Sequence, residues 1–303
     1  MAFLYWLENI RVPVLNEIML GITYLGDEIA FLVVALLLMW CVDKRTAYYV
    51  LSVGFLGTIA NQFMKLWFRV PRPWVLDEKF TILEQAREGA SGYSFPSGHT
   101  QSSVGTFGAI AYITKNKALR YICLLVVILV PFSRMYLGVH TPLDVTVAAA
   151  MAGLLIFGLK PLILGKNERV FPMFLGIMVA VAIGFLCFVE LYPFPADIDP
   201  HNMTSGLKNA YTLLGSLLGL VAVYIVDTKW LHFPTKAVWW AQIIKVILGL
   251  GLVLIVKNGL RAPLEATFGA LIGRSVRYFC IVIVAGIVWP LSFRWFSKFG
   301  SKE

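Results

Sequence analysis

Long apolar runs separated by short polar loops dominate the chain. A bilayer core is crossed by a helix of about 20 apolar residues, and most of these runs approach that length. Each run therefore predicts a membrane-crossing helix. The strongest runs lie at about 46–64, 118–137, 142–163, 170–192, 208–226, 237–256 and 277–295. A shorter run near 28–42 predicts one more crossing.

The first 26 residues have a different pattern. Glu8, Arg11 and Glu17 stand among aromatic residues and leucines. An amphipathic helix in the membrane interface has this alternation of charged and apolar positions, although an additional crossing would also accommodate it. We expect the interfacial arrangement.

The composition supports a membrane protein. Of 303 residues, 59% are hydrophobic and 14% charged, and the mean hydropathy is +0.77. Soluble domains are about half apolar and about a quarter charged. The pattern and the composition together predict an all-α polytopic helical bundle.

The four cysteines lie inside or beside apolar runs, so they indicate neither a disulfide framework nor a metal site.

The net charge of +9 comes largely from basic residues in loops. A nucleic-acid-binding protein can carry such a charge, but basic loops between apolar runs follow the positive-inside rule. We therefore expect no nucleic-acid partner. Basic residues mark alternate loops as cytoplasmic: Lys44–Arg45, Lys115–Arg120, Lys160–Arg169, Lys229–Lys236 and the tail with Arg294, Lys298 and Lys302.

The remaining loops are then external, in a plasma or inner membrane. They include the long loop 66–98 and the short link 133–141, and the loop 193–207 carries Asp197 and Asp199 without any Lys or Arg. Loops longer than about 12–15 residues are usually functional or disordered. A site in these loops would face the periplasm or the exterior.

Two clusters of candidate functional residues flank the long loop. Lys65 and Arg72 follow the second crossing, where cations alone could simply be snorkelling at the membrane boundary. The run Pro-Ser-Gly-His that ends at His99 predicts a helix start, and the free backbone N–H groups of a helix start favour an anion. The alternative is an ordinary N-cap beside a chance histidine, but the chain has only four histidines.

A third cluster contains Arg134, His140 and Asp144. His140 and Asp144 are four residues apart, which is the spacing of neighbours on one helical face. A carboxylate there can orient an imidazole and stabilise its cation. Thr141-Pro142-Leu143-Asp144 also resembles a capping box with Pro at the first helical position, and both roles can hold together.

Together the clusters provide three cations, a helix N-terminus, two histidines and one carboxylate, and nothing resembling a metal cage of carboxylates. Cations and backbone amides can stabilise a pentavalent phosphoryl group. One histidine can attack phosphorus while the other protonates the leaving oxygen. This set predicts phosphoryl chemistry without a metal or another cofactor.

The three clusters resemble the motifs K-x6-R-P, P-S-G-H and S-R-x5-H-x3-D of the type 2 phosphatidic acid phosphatase superfamily, in that order. The resemblance covers about residues 27–165 and implies an all-helical core of six helices, so the polar stretch 100–114 is also expected to be helical. The chain would then contain an interfacial segment (1–26), a phosphatase core (27–165) and a transmembrane extension (166–303), with eight or nine crossings. The related vanadium haloperoxidases are soluble, and the membrane composition argues against that branch.

By this resemblance, His140 is the nucleophile that forms a phosphohistidine, and Asp144 orients it. His99 is the general acid for the leaving group and then the base for water. The phosphate-binding residues are Lys65, Arg72, Ser97, Gly98 and Arg134. The expected function is metal-independent hydrolysis of a lipid phosphate or diphosphate monoester.

Two other functions are compatible with the sequence. A phosphotransferase would use the same phosphohistidine but pass the phosphate to an acceptor other than water. A lipid transporter also suits many helices, although its charges would be expected near the bilayer midplane. The identity of the lipid and the oligomeric state do not follow from the sequence.

The C-terminal extension contains a basic segment, 257–277, that departs from the positive-inside pattern. A different helix count or attraction to anionic lipids would explain its charges. Alternatively, the segment folds over the core as an interfacial helix, bent at Pro263 and the nearby glycines. One of Arg261, Arg274 or Arg277 would then bind a second phosphate or an acidic head group.

Overall fold

The computed structural model describes residues 1–90, 92–167, 169–196 and 198–299. These residues form helices and connecting loops, and no β-strand occurs among them. The predicted all-α fold is therefore confirmed. Asp197 and Lys302, which contributed to the loop-charge pattern, lie outside the described residues.

The α-helices of the first half of the chain are α1 (Ala2–Asn9), α2 (Pro13–Thr23), α3 (Glu28–Leu37), α4 (Lys44–Phe68), α5 (Pro73–Leu76), α6 (Gly98–Ser103), α7 (Ala109–Ile113), α8 (Lys117–Tyr136) and α9 (Pro142–Ile163). Those of the second half are α10 (Val170–Leu191), α11 (Pro200–Val226), α12 (Trp239–Gly259), α13 (Arg261–Phe268), α14 (Ala270–Ile283) and α15 (Phe293–Ser297). A π-helical turn, Val104–Gly108, joins α6 to α7, so the predicted helix at 100–114 is present.

Six helices in the described residues are long and apolar enough to cross a membrane. They are Lys117–Tyr136, Pro142–Ile163, Val170–Leu191, Pro200–Leu231, Trp239–Phe268 and Ala270–Ser297. A seventh is obtained if Pro13–Gly26 and Glu28–Val42, which meet at a bend of 54°, form one span. The polytopic bundle is confirmed, but by length and composition the structure supports six or seven spans rather than the expected eight or nine.

The difference comes from the predicted crossings 46–64 and 100–114. Both are helical, but their polar side chains are buried inside the protein. The mean hydropathy counts these side chains although they do not face lipid, so it makes both helices look too polar to cross. On α4 these include Ser52, Asn61 and Lys65. The helices pack closely here, since a Cβ at Gly57 would collide with Nε2 of Gln101.

Packing divides the chain into two compact units. The first contains Met1–Val34, Tyr49–Pro161 and Ala196–Ser205. The second contains Ala35–Tyr48, Leu162–Pro195 and the described residues from Gly206 onward. All three sequence motifs lie in the first unit. Because this division follows packing rather than chain order, the boundaries proposed at 26 and 165 stay predictions.

In the first unit, the N-terminal segment packs against the long loop 66–98 and forms hydrogen bonds with it. Leu4 and Leu7 of α1 are buried in a cluster that includes Phe80 of the loop and residues at the end of α8. Arg11 donates from Nη1 to the Thr81 carbonyl (2.8 Å) and from Nε to the Tyr136 carbonyl (3.0 Å). The long loop is therefore held against α8, where the third motif begins.

In the second unit, a buried lysine of α12 is satisfied by carbonyl groups. Lys245 Nζ donates to the carbonyls of Trp40 (2.7 Å) and Thr235 (3.1 Å) and lies 4.4 Å from the centroid of the Phe293 ring. These contacts stabilise a cation that would be costly to bury alone.

The basic segment 257–277 forms a helical hairpin in the second unit. Helix α14 returns after Gly269, whose φ of +78° suits a residue without a Cβ. Arg274 Nε donates to Oγ1 of Thr212 (2.7 Å), and Arg277 Nη1 lies 3.8 Å from Oε1 of Glu265. Binding of an acidic head group by these arginines stays a prediction.

Candidate active site

The three motifs come together in the first unit. Lys65 lies near the end of α4, and Arg72 directly precedes α5. The Pro-Ser-Gly-His segment leads into α6, while Arg134 lies near the end of α8. His140 occupies the short link before α9, and Asp144 lies in the first turn of α9. Helix ends and the loops beside them therefore supply all eight predicted site residues.

His140 and Asp144 form the centre of this cluster. His140 Nδ1 lies 3.4 Å from Oδ2 of Asp144, and each residue is 1% exposed. The same Oδ2 accepts hydrogen bonds from the Thr141 backbone N–H (2.8 Å) and from Oγ of Ser94 (2.5 Å). In return, the Asp144 N–H donates to Oγ1 of Thr141 (3.3 Å). Asp144 thus caps the helix and faces the imidazole at the same time.

Arg72 determines which ring nitrogen of His140 carries the proton. Its Nη1 lies 2.9 Å from Nε2 of His140, and it also donates to the Val139 carbonyl (2.8 Å). A guanidinium can only donate, so Nε2 must accept and the ring proton belongs on Nδ1, facing Asp144. Burial, together with the charges of Arg72 and Arg134, holds the pKa of His140 well below its usual range. The imidazole is therefore neutral, with its lone pair on Nε2.

Lys65 and Arg134 add two buried cations beside His140. Lys65 Nζ donates to the Tyr93 carbonyl. Arg134 donates to Oγ1 of Thr23 (2.8 Å) and to the Gly89 carbonyl (3.2 Å), and its Nε has no hydrogen-bond partner among the described residues. Buried charges normally occur paired. Together with Arg72, these cations outnumber the carboxylates of the cluster, so the cluster is suited to an anion.

The Pro-Ser-Gly-His segment is tied to its neighbours on both sides. The Ser97 N–H donates to the Asp144 carbonyl (3.1 Å), and Oγ of Ser97 accepts from the Thr100 N–H (3.4 Å) as the N-cap of α6. Asn61, one turn before Lys65 on α4, donates to the Pro96 carbonyl (3.3 Å). These contacts place the Ser97–Gly98 turn beside the His140–Asp144 pair.

His99 contacts a carboxylate that the sequence motifs did not indicate. Its Nε2 lies 2.7 Å from Oδ1 of Asp27, at the bend between α2 and α3. Burial and the charge of Arg134 lower the pKa of His99 to about 4, and the contact with Asp27 opposes that shift. His99 also interacts electrostatically with His140. The second histidine therefore belongs to the same cluster as the first.

Sequence reasoning missed three polar residues of this cluster: Ser94, Asp27 and Asn61. Asn61 could have been found, because it is four residues before Lys65 and so shares its helical face. Ser94 and Asp27 carry no comparable signal, since their contacts join segments far apart in the chain.

The donors that converge on the site are those that bind anions. They are guanidinium, ammonium and backbone N–H groups. In the part of the chain that the structure describes, no group of three or more His, Cys, Asp or Glu side chains is placed to hold a metal ion. The donor set therefore fits a phosphate group.

Comparison with known families decides the assignment. Residues 45–169 match the PAP2 superfamily, and residues 211–301 match the transmembrane extension of PAP2 superfamily phosphatases. The chain belongs to the PAP2 superfamily. The first match contains all eight predicted site residues, and the resemblance identified from the motifs is confirmed.

Three curated relatives are similar to part of the chain. Phosphatidylglycerophosphatase B of Bacillus subtilis is 32% identical over 175 residues, which cover 53% of this chain and 79% of the relative. Undecaprenyl-diphosphatase BcrC of the same organism is 30% identical over 159 residues, covering 50% and 77%. An undecaprenyl-diphosphatase of Sulfolobus acidocaldarius is 28% identical over 136 residues, covering 45% and 64%. No solved structure matches the chain.

These findings establish the general activity of this PAP2 protein. The relatives are membrane lipid phosphatases, and the described residues contain six spans of suitable length and composition. The protein is therefore an integral membrane phosphatase, associated with the bilayer and suited to a lipid substrate.

Proposed function

We propose that this protein hydrolyses a lipid phosphate or diphosphate monoester through a phosphohistidine on His140, without a metal ion. The observation that carries the proposal is the neutral imidazole of His140. Arg72 contacts its Nε2, and Asp144 faces its Nδ1. A phosphate that takes over the contact with Arg72 would present its phosphorus to the Nε2 lone pair.

The first chemical step forms a bond between Nε2 of His140 and phosphorus. The bond from phosphorus to the lipid oxygen breaks, and His99 gives that oxygen a proton. Asp144 stabilises the positive charge that develops on His140. The negative charge on the phosphoryl oxygens is stabilised by Lys65, Arg72 and Arg134, with the Ser97 hydroxyl and the Gly98 N–H.

The second step releases the phosphate. Water attacks phosphorus, His99 takes a proton from the water, and the bond to Nε2 breaks. The cations that would stabilise both steps are supplied by side chains, which supports a reaction without a metal. The matched ranges also support a phosphatase core at about 27–165 and an extension at 166–303.

The substrate class is proposed from the relatives. Phosphatidylglycerol phosphate and undecaprenyl diphosphate are the substrates that their names indicate. We propose that the site faces the periplasm or the exterior, because the loops that carry it alternate with the basic loops. A phosphotransferase would form the same intermediate, and release of free phosphate separates the two activities.

A phosphate-release assay tests this proposal. Purified protein in detergent would be given phosphatidylglycerol phosphate, undecaprenyl diphosphate and phosphatidic acid, with chelator and without divalent metal. We expect free phosphate from at least one of them, and none above background from His140→Ala. Label transferred to an added alcohol without free phosphate would favour a phosphotransferase, and activity only with added metal would contradict the metal-free mechanism.

Quenching a reaction with radiolabelled substrate in alkaline detergent tests the intermediate itself, because phosphohistidine survives base but not acid. We expect acid-labile, base-stable label on the wild-type protein and none on His140→Ala. Equal labelling of the variant would overturn the assignment of His140. A Cys187→Ser variant, changed at an exposed position of the second unit, is the matched control and should label normally.

A further inference from the structure

Asp27 directs its carboxylate to His99 rather than to its own helix. Its Oδ1 lies 2.7 Å from Nε2 of His99, and the side chains of Asp27 and His99 are 35% and 16% exposed, respectively. Asp27 directly precedes α3, where an Asp side chain ordinarily caps the free backbone N–H groups. In the described part of the chain, the hydrogen bonds at this position instead involve its backbone, with the Phe31 N–H donating to the Asp27 carbonyl (3.2 Å).

The backbone around Asp27 is fitted closely to His99. A Cβ at Gly26 would lie 2.9 Å from both Cβ and the carbonyl oxygen of His99, and 2.9 Å from Cγ1 of Val130. Only a residue without a side chain allows the bend to approach this closely. The approach brings Asp27 within hydrogen-bond distance of the imidazole.

The charges around His99 explain why a carboxylate is needed there. The charged or titratable groups that act on it are Arg134 of α8, Arg72 before α5, His140 before α9 and Asp27 at the bend. The two arginines oppose a positive charge on His99, and Asp27 is the carboxylate that favours one. A general acid must hold its proton until the leaving oxygen takes it. The negative charge of a bound phosphate would offset the positive charge of the two arginines. The carboxylate of Asp27 would further stabilise the protonated form of His99.

We propose that Asp27 is a positioning residue for His99, holding its Nε2–H and supporting the imidazolium that protonates the leaving group. This inference rests on the proposed function. With Nε2 held by Asp27, the proton passes from Nδ1 to the lipid oxygen as the phosphorus–oxygen bond breaks. Nδ1, now carrying the lone pair, later accepts a proton from the water that attacks the phosphohistidine.

Leaving groups of different basicity distinguish this role from a structural tie. A lipid alkoxide needs a proton to leave, whereas p-nitrophenolate leaves without one. Asp27→Asn keeps the size of the side chain but removes its charge. We expect kcat/KM to fall about tenfold or more on a lipid phosphate, a part of the ~10²–10⁴-fold that general acids contribute, and to change little on p-nitrophenyl phosphate.

The pH dependence of kcat/KM for Asp27→Asn is a second test of this role. Loss of the carboxylate charge destabilises the imidazolium, so the alkaline limb of kcat/KM on the lipid phosphate should move to lower pH. Asp27→Glu, which restores the charge, should recover part of the activity and move the limb back. Asp77→Asn is the matched control, since Asp77 accepts a hydrogen bond from Tyr5 in the same unit but lies outside the site.

The outcomes separate this inference from the proposed function. An equal loss on both substrates with an unmoved pH profile would assign Asp27 a structural role and overturn the inference. Wild-type kinetics of Asp27→Asn, with an inactive His140→Ala, would overturn it while leaving the phosphohistidine mechanism intact. If Asp27→Asn is too unstable to assay on the lipid, the inference is judged from the kinetics of Asp27→Glu. Activity on p-nitrophenyl phosphate then shows whether the site is folded.

Discussion

At the scale of single residues, one carboxylate oxygen positions the proposed nucleophile. Oδ2 of Asp144 accepts from Ser94 and from the Thr141 backbone while facing Nδ1 of His140. Three contacts on one oxygen fix the carboxylate, and the carboxylate in turn fixes the imidazole. This arrangement resembles the way a carboxylate orients a catalytic histidine in hydrolases generally.

Removal of the Ser94 hydroxyl should therefore weaken catalysis more than binding. A hydrogen bond to a charged group contributes about 1.5–3 kcal/mol, so Ser94→Ala should lower kcat roughly tenfold and leave KM nearly unchanged. Steady-state phosphate release measures both constants. Ser103→Ala is the control, because that buried hydroxyl donates to the Thr100 carbonyl within its own helix. An unchanged kcat for Ser94→Ala would mean that Thr141 alone holds Asp144.

The candidate site residues fall into two groups, those that a local sequence motif marks and those that only a distant contact reveals. The sequence alone points to Lys65, His99, His140 and their motif neighbours, because their spacing repeats a known pattern. Ser94 and Asp27 were not, because each gains its meaning from a partner 50 or more residues away, as with the Ser94–Asp144 bond. Local spacing carries information about one helix or loop, whereas these contacts depend on how several elements pack.

At the scale of helices, small residues determine how closely α11 and α14 approach. A Cβ at Gly215 would collide with the Ser275 carbonyl oxygen and lie 2.8 Å from its carbonyl carbon. Backbone atoms cannot turn aside as a side chain can. Glycine at such a crossing is typical of helix pairs in membranes, where close backbone contact replaces the hydrophobic driving force.

Gly215→Ala should consequently destabilise the second unit, whereas Gly251→Ala should not. Overpacking costs about 1–3 kcal/mol, and we expect a lower unfolding temperature and lower yield for Gly215→Ala. At Gly251 of α12, an alanine methyl would meet nothing within 4 Å, and alanine favours a helix by about 1 kcal/mol over glycine. Thermal unfolding in detergent compares the two variants. Equal unfolding temperatures would show that α11 and α14 can separate without cost.

The helix count shows what hydropathy can and cannot predict at this scale. The apolar runs from 118 to 192 appear as α8, α9 and α10 nearly as expected. Helix α4 is also present, but polar residues on its buried surface, among them Ser52, Asn61 and Lys65, make it less apolar than the six spans. A hydropathy profile describes contact with lipid, and α4 uses part of its surface to build the site.

At the scale of the whole molecule, the ends of two helices bear on which side of the membrane the site faces. Helix α8 has 20 residues between Lys117 and Tyr136, a length of about 30 Å, so its two ends lie on opposite faces of a bilayer. His140 follows the second end directly, and α9 then returns toward Lys160. The basic residues therefore collect at the ends away from the site.

From the positive-inside rule we expect Lys117 in the cytoplasm and the loop before the site outside, which is the orientation proposed above. Glu78 of that loop and Lys117 are both exposed, so each can be replaced by cysteine after Cys41, Cys123, Cys187 and Cys280 are changed to serine. In intact cells, a membrane-impermeant maleimide should label Glu78→Cys, and Lys117→Cys only after permeabilisation. Phosphatase activity of each variant confirms that it is folded. Labelling of Lys117→Cys in intact cells would reverse the proposed orientation and place the phosphatase site in the cytoplasm.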